Sequence, residues 1–163
     1  MDGVVIGERR QYVLFHLGAE EYGLPIKRVQ SIIRYEEPTS VPRAPAGVDG
    51  VFNLRGQVIP LVDLGHLLLG VPLVPTPAAR IIVTEGGVGA VGLAVDAVRE
   101  VAAFAEDDIL PAPAEVLGSE TSDAFEGVVS HGERLVILLD PDKALPKPVS
   151  ASIAARREEA SDV

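Results

Sequence analysis

No cysteine occurs anywhere in the chain. That excludes disulfides, thiolate zinc sites and a thiol nucleophile together, and it fits a reducing compartment. Long apolar runs are missing as well. The 163 residues are 47% hydrophobic with a mean hydropathy of +0.27, yet Gly, Pro or charge interrupts every run short of the roughly 18 to 20 apolar residues of a spanning helix. Basic charge is scarce: 14 Lys and Arg stand against 24 Asp and Glu, for a net charge of −10. Such a chain repels phosphate backbones and anionic lipid, so neither nucleic acid nor direct membrane insertion is expected. The opening MDGVVIGERRQ has an acid at position 2 and no basic stretch leading into an apolar one, so a secretory signal is not expected and a cytoplasmic address follows. These exclusions leave one domain with a respectable core, or two small lobes sharing one.

What is present is strand signal and repetition. YVLFHL (12–17) and EYGLPI (21–26) are β-rich runs separated by Gly18-Ala19-Glu20, which predicts a hairpin. KRVQSII (27–33) places Val29, Ile32 and Ile33 three and four apart, which predicts a short helical turn before another extended run. Gly23, Leu24 and Val29 recur 69 residues later as Gly92, Leu93 and Val98, and Tyr12-Val13-Leu14 falls on Ile81-Ile82-Val83 at the same offset. Gly50-Val51 and Asp63 recur at an offset of 77 as Gly127-Val128 and Asp140. The offsets differ by 8, so the second copy has a longer connection, expected within 105–123. Duplication predicts two β-rich lobes of about five short strands each, partly closed into barrels to satisfy their edges. Their boundary is expected near 70–80, at PLVPTPAA (72–79), with an apolar interface between them. The tail at 147–163 offers little to bury and is expected to be a flexible, frayed or partly helical extension.

Candidate chemistry is sparse. Asp63 precedes LGHLLLG and Asp140 precedes PDKAL, positions where a carboxylate caps a helix and Pro141 suits its first turn. One Asp per half also raises an aspartic-protease-like dyad, but that family places a small hydroxyl residue and Gly directly after each Asp; Leu64-Gly65 and Pro141-Asp142 stand there instead. His16, His66 and His131 fall in a strand, a helix and a turn, without HxH, HExxH or a nearby carboxylate pair for a metal. No GxSxG elbow occurs. EGGVGAVG (85–92) lacks the Lys-Ser/Thr ending of a phosphate loop, so Gly86 and Gly87 read as hairpin-turn residues. Arg55-Gly56 lies between GVFNL and QVIPLVDL, as a polar hairpin tip or as a guanidinium presented to a partner. Arg does not deprotonate near neutrality, so a protein contact suits it better than proton transfer.

Three stretches together, YVLFHLGAEEYGLPIKRVQSI (12–32), GVFNLRGQVIPLVDL (50–64) and VGLAVDAVREV (91–101), resemble the CheW family of chemosensory coupling proteins. The likeness covers about 10–146, nearly the whole chain, as a single CheW-like domain. It implies a mainly β fold: two SH3-like five-stranded β-barrels around a shared hydrophobic core, with short helices. It also implies no catalysis, cofactor or metal, and a cytoplasmic adaptor within chemoreceptor arrays. The implied partners are the cytoplasmic hairpin tip of a chemoreceptor and the regulatory domain of a CheA-type histidine kinase, with adaptor and kinase alternating in rings. Carried over by position, a receptor groove between the lobes would use Val29, Ser31, Ile32, Gly50 and Arg55 with Ile81 and Val101, receiving a helical hairpin. Leu110 and Glu115 would face the kinase. Many family members carry Glu where this chain has Ser31, so Arg55 is expected to turn to Glu36 or Glu37, or to a receptor carboxylate. That departure also raises an adaptor that binds receptor alone and competes with a full coupler.

Overall fold

The computed structural model describes residues 9–44, 47–86, 89–111 and 124–144. Among these are ten strands: β1 (Arg9–Leu17), β2 (Glu20–Pro25), β3 (Val29–Arg34), β4 (Val48–Leu54), β5 (Gln57–Asp63), β6 (Arg80–Gly86), β7 (Gly89–Val95), β8 (Ala97–Ala105), β9 (Phe125–His131) and β10 (Arg134–Leu139). Helix α1 (Leu64–Leu69) follows β5 and helix α2 (Pro141–Ala144) follows β10. KRVQSII, predicted as a helical turn, is instead a 3-10 turn at Ile26–Arg28 followed by β3. Burial along β3 alternates, with Val29, Ser31 and Ile33 half-buried and Gln30, Ile32 and Arg34 outward, so the period is two and the helical spacing was incidental.

The strands form two five-stranded sheets, ordered β8-β1-β2-β10-β9 and β3-β6-β7-β5-β4. Offsets of 69 and 77 carry β1–β3 onto β6–β8 and β4–β5 onto β9–β10, so each sheet is the other with every strand replaced by its repeat. The division expected near 70–80 is corrected by this order. The 70–80 connection joins α1 to β6, whose strand lies in the same sheet as β5. The exchanged elements are the two hairpins: β1–β2 completes the sheet of β8–β10, and β6–β7 completes the sheet of β3–β5. Each hairpin meets its host on both sides, by an antiparallel pairing of β1 with β8 or β6 with β3, and by a short parallel pairing of β2 with β10 or β7 with β5.

Side-chain parity explains the exchange. Along β1, Tyr12 and Leu14 enter a cluster with Phe104, Val129, Val136 and Leu138, the interior of the first barrel. Val13, Phe15 and Leu17 point the other way, into a second cluster with Tyr22, Leu24, Val62, Leu64, Ile82, Val91, Leu93, Val95 and Leu139. That second cluster draws on both sheets and is the shared core. On β6, Ile81 and Val83 fill the second barrel with Phe52, Ile59 and Leu61, while Ile82 faces the shared core. A hairpin apolar on both faces needs a layer on each side. Two close approaches make room: a Cβ at Gly92 would lie 2.6 Å from a ring carbon of Phe52, and one at Gly23 would lie 2.9 Å from Leu138 Cδ2.

Repeated bulges bend the strands. Gln30 and Arg99, 69 apart, are each the extra residue in the pairings of β3 with β6 and β8 with β1. Asp49 and Glu126, 77 apart, play that part in β4 and β9. The Asp49 carboxylate accepts the Asp63 N–H at 2.7 Å, and Glu126 accepts the Tyr12 hydroxyl at 2.8 Å. Past β3 and β8 the chain crosses back, and paired backbone bridges Thr39–Val51 and Leu110–Val128 partly close each barrel.

Because the lobes share one core, unfolding in urea followed by far-UV circular dichroism is expected to give one transition. Ile82→Ala should lower stability by about 2 to 5 kcal/mol while keeping that single transition; a second, separate transition would mean that the lobes unfold independently. Burial, followed by the bonded Glu126, pushes the Tyr12 hydroxyl up to about 12. Burial likewise raises Tyr22, beside Glu20, and Tyr35. The folded state therefore holds phenolic protons that the unfolded chain releases, and stability should fall as pH rises above about 10. Absorbance at tyrosinate wavelengths should rise together with unfolding rather than before it.

Candidate protein-interaction site

Arg55 and Gly56 form the two-residue connection between Leu54 and Gln57, the last pair of β4 and β5. Both have left-handed backbone, φ +53 and +85, as the tight hairpin turn with two positive φ values demands. The Asn53 side chain accepts the Gly56 N–H at 3.0 Å and holds the turn. A left-handed conformation costs a residue with a Cβ roughly 1 kcal/mol, and at the repeated position, 77 residues on, the chain uses Gly132 at φ +65. Arg55 is therefore poorly suited to the turn it occupies. Nor does it act inside the molecule: among the described residues it makes no hydrogen bond or ion pair, and neither Glu36 nor Glu37 meets it.

The other expected contacts lie on β3 and β8, which are repeats of one another. Val29 and Val98 both pack against the shared core, so the two strands border it. Ile32 and Val101, again 69 apart, are 40% and 49% exposed, large aliphatic side chains left outside both barrels. Ser31 is half-buried with an unpartnered hydroxyl, beside the β6 pairing with Val83. Its counterpart Glu100 is anchored to Arg134 at 3.4 Å and lies 3.5 Å from His131 Nε2. The bond from Arg134, then that from His131, holds the Glu100 carboxyl below its ordinary range. His131, read from the sequence as a turn residue, ends β9 half-buried, edge-on to the Phe104 ring at 5.4 Å.

Two expected contacts are corrected. Ile81 is 0% exposed, because its parity on β6 sends it into the second barrel, and it has no surface to offer a receptor. Gly50 is buried beside the bulge at Asp49, and a Cβ there would run into the backbone carbonyl of Thr39, so its role is the Thr39–Val51 closure. Leu110 presents an exposed side chain from a backbone held twice by Val128. Glu115 lies outside the described residues. Sequence inspection missed the pair Val58 and Leu135, 77 apart and 64% and 65% exposed, on the outer faces of β5 and β10. Extending the repeat through QVIPLVD and RLVILLD would have found them.

The two aspartates do not form a dyad. Asp63 accepts the N–H of His66 at 3.1 Å and of Leu73 at 2.7 Å, and Asp140 accepts the N–H of Asp142 at 3.0 Å. Both carboxylates cap the helix that follows. Among the described residues no group of three or more His, Cys, Asp or Glu side chains is placed to hold a metal ion. Apart from Glu100, held by Arg134 and His131, the arrangement presents a turn arginine and aliphatic side chains bordering the shared core.

The CheW-like domain family model matches residues 11–148. A chemotaxis protein CheW of Klebsiella aerogenes is 34% identical over 143 residues, covering 88% of this chain and 84% of that protein. One of Rhizobium meliloti is 36% identical over 137 residues, covering 84% and 88%. Among solved structures, the scaffolding protein TtCheW of Thermoanaerobacter tengcongensis superposes with a TM-score of 0.73 at 30% identity, covering 81% of this chain and 84% of that one.

Separate roles for Gly50 and Arg55 predict different outcomes on stability. Gly50→Ala should destabilise by about 1 to 3 kcal/mol in chemical denaturation, as overpacking against fixed backbone does. Arg55→Gly should leave the unfolding midpoint unchanged or slightly raised, since it removes the left-handed strain. A large loss on Arg55→Gly would make the arginine structural.

Proposed function

Because this chain belongs to the CheW family, whose members are non-catalytic scaffolding adaptors of chemotaxis, we propose that it couples the cytoplasmic hairpin tip of a chemoreceptor to the regulatory domain of a CheA-type histidine kinase. The carrying observation is Arg55, held in left-handed backbone at a hairpin tip with no partner inside the molecule. Conformational strain without an internal return marks a residue kept for something outside the chain. A guanidinium is a fixed planar donor, suited to registering a carboxylate on a receptor helix.

In this reading Val29, Ile32 and Val101 supply the apolar part of the receptor surface, bordering the shared core. Helix-in-groove recognition needs apolar anchors with one polar group that sets register, and Ile32, Val101 and Arg55 are of those types. Ser31, with its unpartnered hydroxyl, gives Arg55 no internal carboxylate, which leaves the guanidinium to the receptor. Leu110, fixed by the Val128 bridge, is the kinase contact, and alternation with the kinase in rings follows from having separate surfaces for the two partners. Among the described residues no helix is long and apolar enough to cross a membrane; the adaptor acts in the cytoplasm, beside receptors that supply the membrane anchor.

Isothermal titration against a receptor tip fragment and, separately, against the kinase regulatory domain tests the proposal. The wild-type chain should bind both saturably. Arg55→Ala should weaken receptor binding by roughly ten-fold, about 1 to 2 kcal/mol, and leave kinase affinity unchanged. Receptor binding without kinase binding would overturn the coupling role and leave a competitor of a full coupler; an unchanged receptor affinity would remove Arg55 from the interface.

A further inference from the structure

The internal repeat exposes a difference between the two helix-bearing ends. At one end Arg28, in the 3-10 turn before β3, makes a two-pronged contact with Asp142 of α2, at 2.9 and 2.8 Å, and its Nε donates to the Glu85 carbonyl at 2.9 Å. This clamp ties the two sheets across α2. At the repeated positions the pair becomes Ala97 and Gly65, 69 residues after Arg28 and 77 before Asp142. No clamp can form there. In its place is a concavity of about 330 Å³, lined in part by Leu17, Gly65, Leu69, Val71 and Val74.

The lining is apolar and held in place. Asp63 caps α1 and also accepts the Leu73 N–H, Gly70 ends the helix in left-handed backbone, and Leu73 packs against the second barrel. Between these fixed points Val71 and Val74 are 65% and 76% exposed, and Leu69 is exposed beside them. The rim is acidic. Glu20, Asp63 and Asp96 line the same concavity, and among the described residues none of them takes part in an ion pair. Their bonds are to the neutral donors Tyr22 hydroxyl, His66 and Leu73 N–H, and Gly18 N–H. Next to it, past Asp63 and Leu73, a second hollow adds Glu37 and Asp49. Burial raises the Asp49 carboxyl, against the lowering effect of the Asp63 N–H bond it accepts.

We propose that this concavity docks a basic amphipathic segment of a partner protein, its aliphatic side chains against Leu69, Val71 and Val74 and its Lys or Arg on Glu20, Asp63 and Asp96. The argument is charge complementarity. Where the fold closes this position internally it uses an arginine on an aspartate, and where it leaves the position open it keeps carboxylates without cations around exposed aliphatic surface. Gly65 is what keeps the space open. A Cβ there would meet only ordinary contacts, the nearest at 3.5 Å, so neither backbone nor packing demands glycine. The proposal concerns a surface other than the receptor and kinase contacts and stands independently of them.

The test uses the full chain, isotope-labelled for amide NMR, and a synthetic helical Leu/Lys peptide, with a Leu/Glu peptide of the same pattern as control. Saturable shifts are expected at Gly18, Gly65, Val71, Val74 and Asp96 with the Lys peptide and none with the Glu peptide. Gly65→Leu, which fills the concavity, should weaken that binding at least ten-fold, and Glu20→Gln, which removes a rim charge without changing side-chain size, should weaken it as well. Shifts spread evenly over the surface, or affinity indifferent to Gly65→Leu, would show nonspecific attraction to a chain of charge −10 and overturn the proposal. Concentration-dependent dimerisation in sedimentation, abolished by Val71→Ser, would overturn it by assigning the patch to a second copy.

Discussion

Burial of two hairpins on both faces is the constraint from which the architecture follows. β1–β2 and β6–β7 each give one face to a barrel interior and the other to the shared core. Neither can end a lobe, because its second face would then meet water at about 25 cal/mol per Å² of apolar surface. Exchange between the halves resolves this, since each hairpin completes the other half's sheet and meets its twin across the molecular centre. Gly23 and Gly92 leave room for Leu138 and Phe52, and an antiparallel pairing on one side with a parallel one on the other joins each hairpin to its host.

A duplicated fold also supplies its own control. Wherever the two copies agree, the feature serves the scaffold: both bulged acids satisfy neighbouring donors, both aspartates cap, and both barrels close by a two-bond bridge. Wherever they disagree, the scaffold has shown that it tolerates the alternative, so the difference asks for another cause. Arg55 against Gly132, Ser31 against Glu100, and Gly65 with Ala97 against Asp142 with Arg28 are three such places. Two involve the residues assigned to the receptor, and the third opens the acidic concavity.

This comparison also separates what was legible in the sequence from what was not. The strands, the repeat and the capping aspartates are local or periodic, and alternation, spacing and N-cap chemistry reveal them. Hairpin exchange is not local: Tyr12-Val13-Leu14 reads as a doubly buried strand without saying which sheet lies on either side. The same gap misplaced Ile81. It repeats Tyr12, a barrel-interior residue, and following that correspondence would have put it inside. Ile32 and Val101 are told from core residues only by parity, which the bulges at Gln30 and Arg99 shift by one residue. Gly50 and Gly127 share a further signal, since a glycine repeated at one offset points to a shared steric need rather than a contact. The Arg28–Asp142 clamp joins residues 114 apart with nothing in either neighbourhood to pair them.

The shared core also determines how such an adaptor can transmit a signal. Its twelve buried residues come from both sheets, and burying one large apolar side chain contributes about 1.5 to 3 kcal/mol. Parting the lobes enough to expose even half of that surface would cost on the order of 10 kcal/mol, comparable with the roughly 5 to 15 kcal/mol that hold a whole domain folded. Hinge motion between the barrels is therefore not available short of unfolding. In the proposed coupling, a receptor seated on Ile32 and Val101, one on each sheet, and on Arg55 moves the molecule as one body, and a kinase held at Leu110 experiences a change of position rather than of shape. Rigidity limits what binding at the proposed site must order: the hairpin already holds the Arg55 backbone in its left-handed conformation, so the side-chain rotamers alone remain to be fixed there, a cost of about 2 kcal/mol.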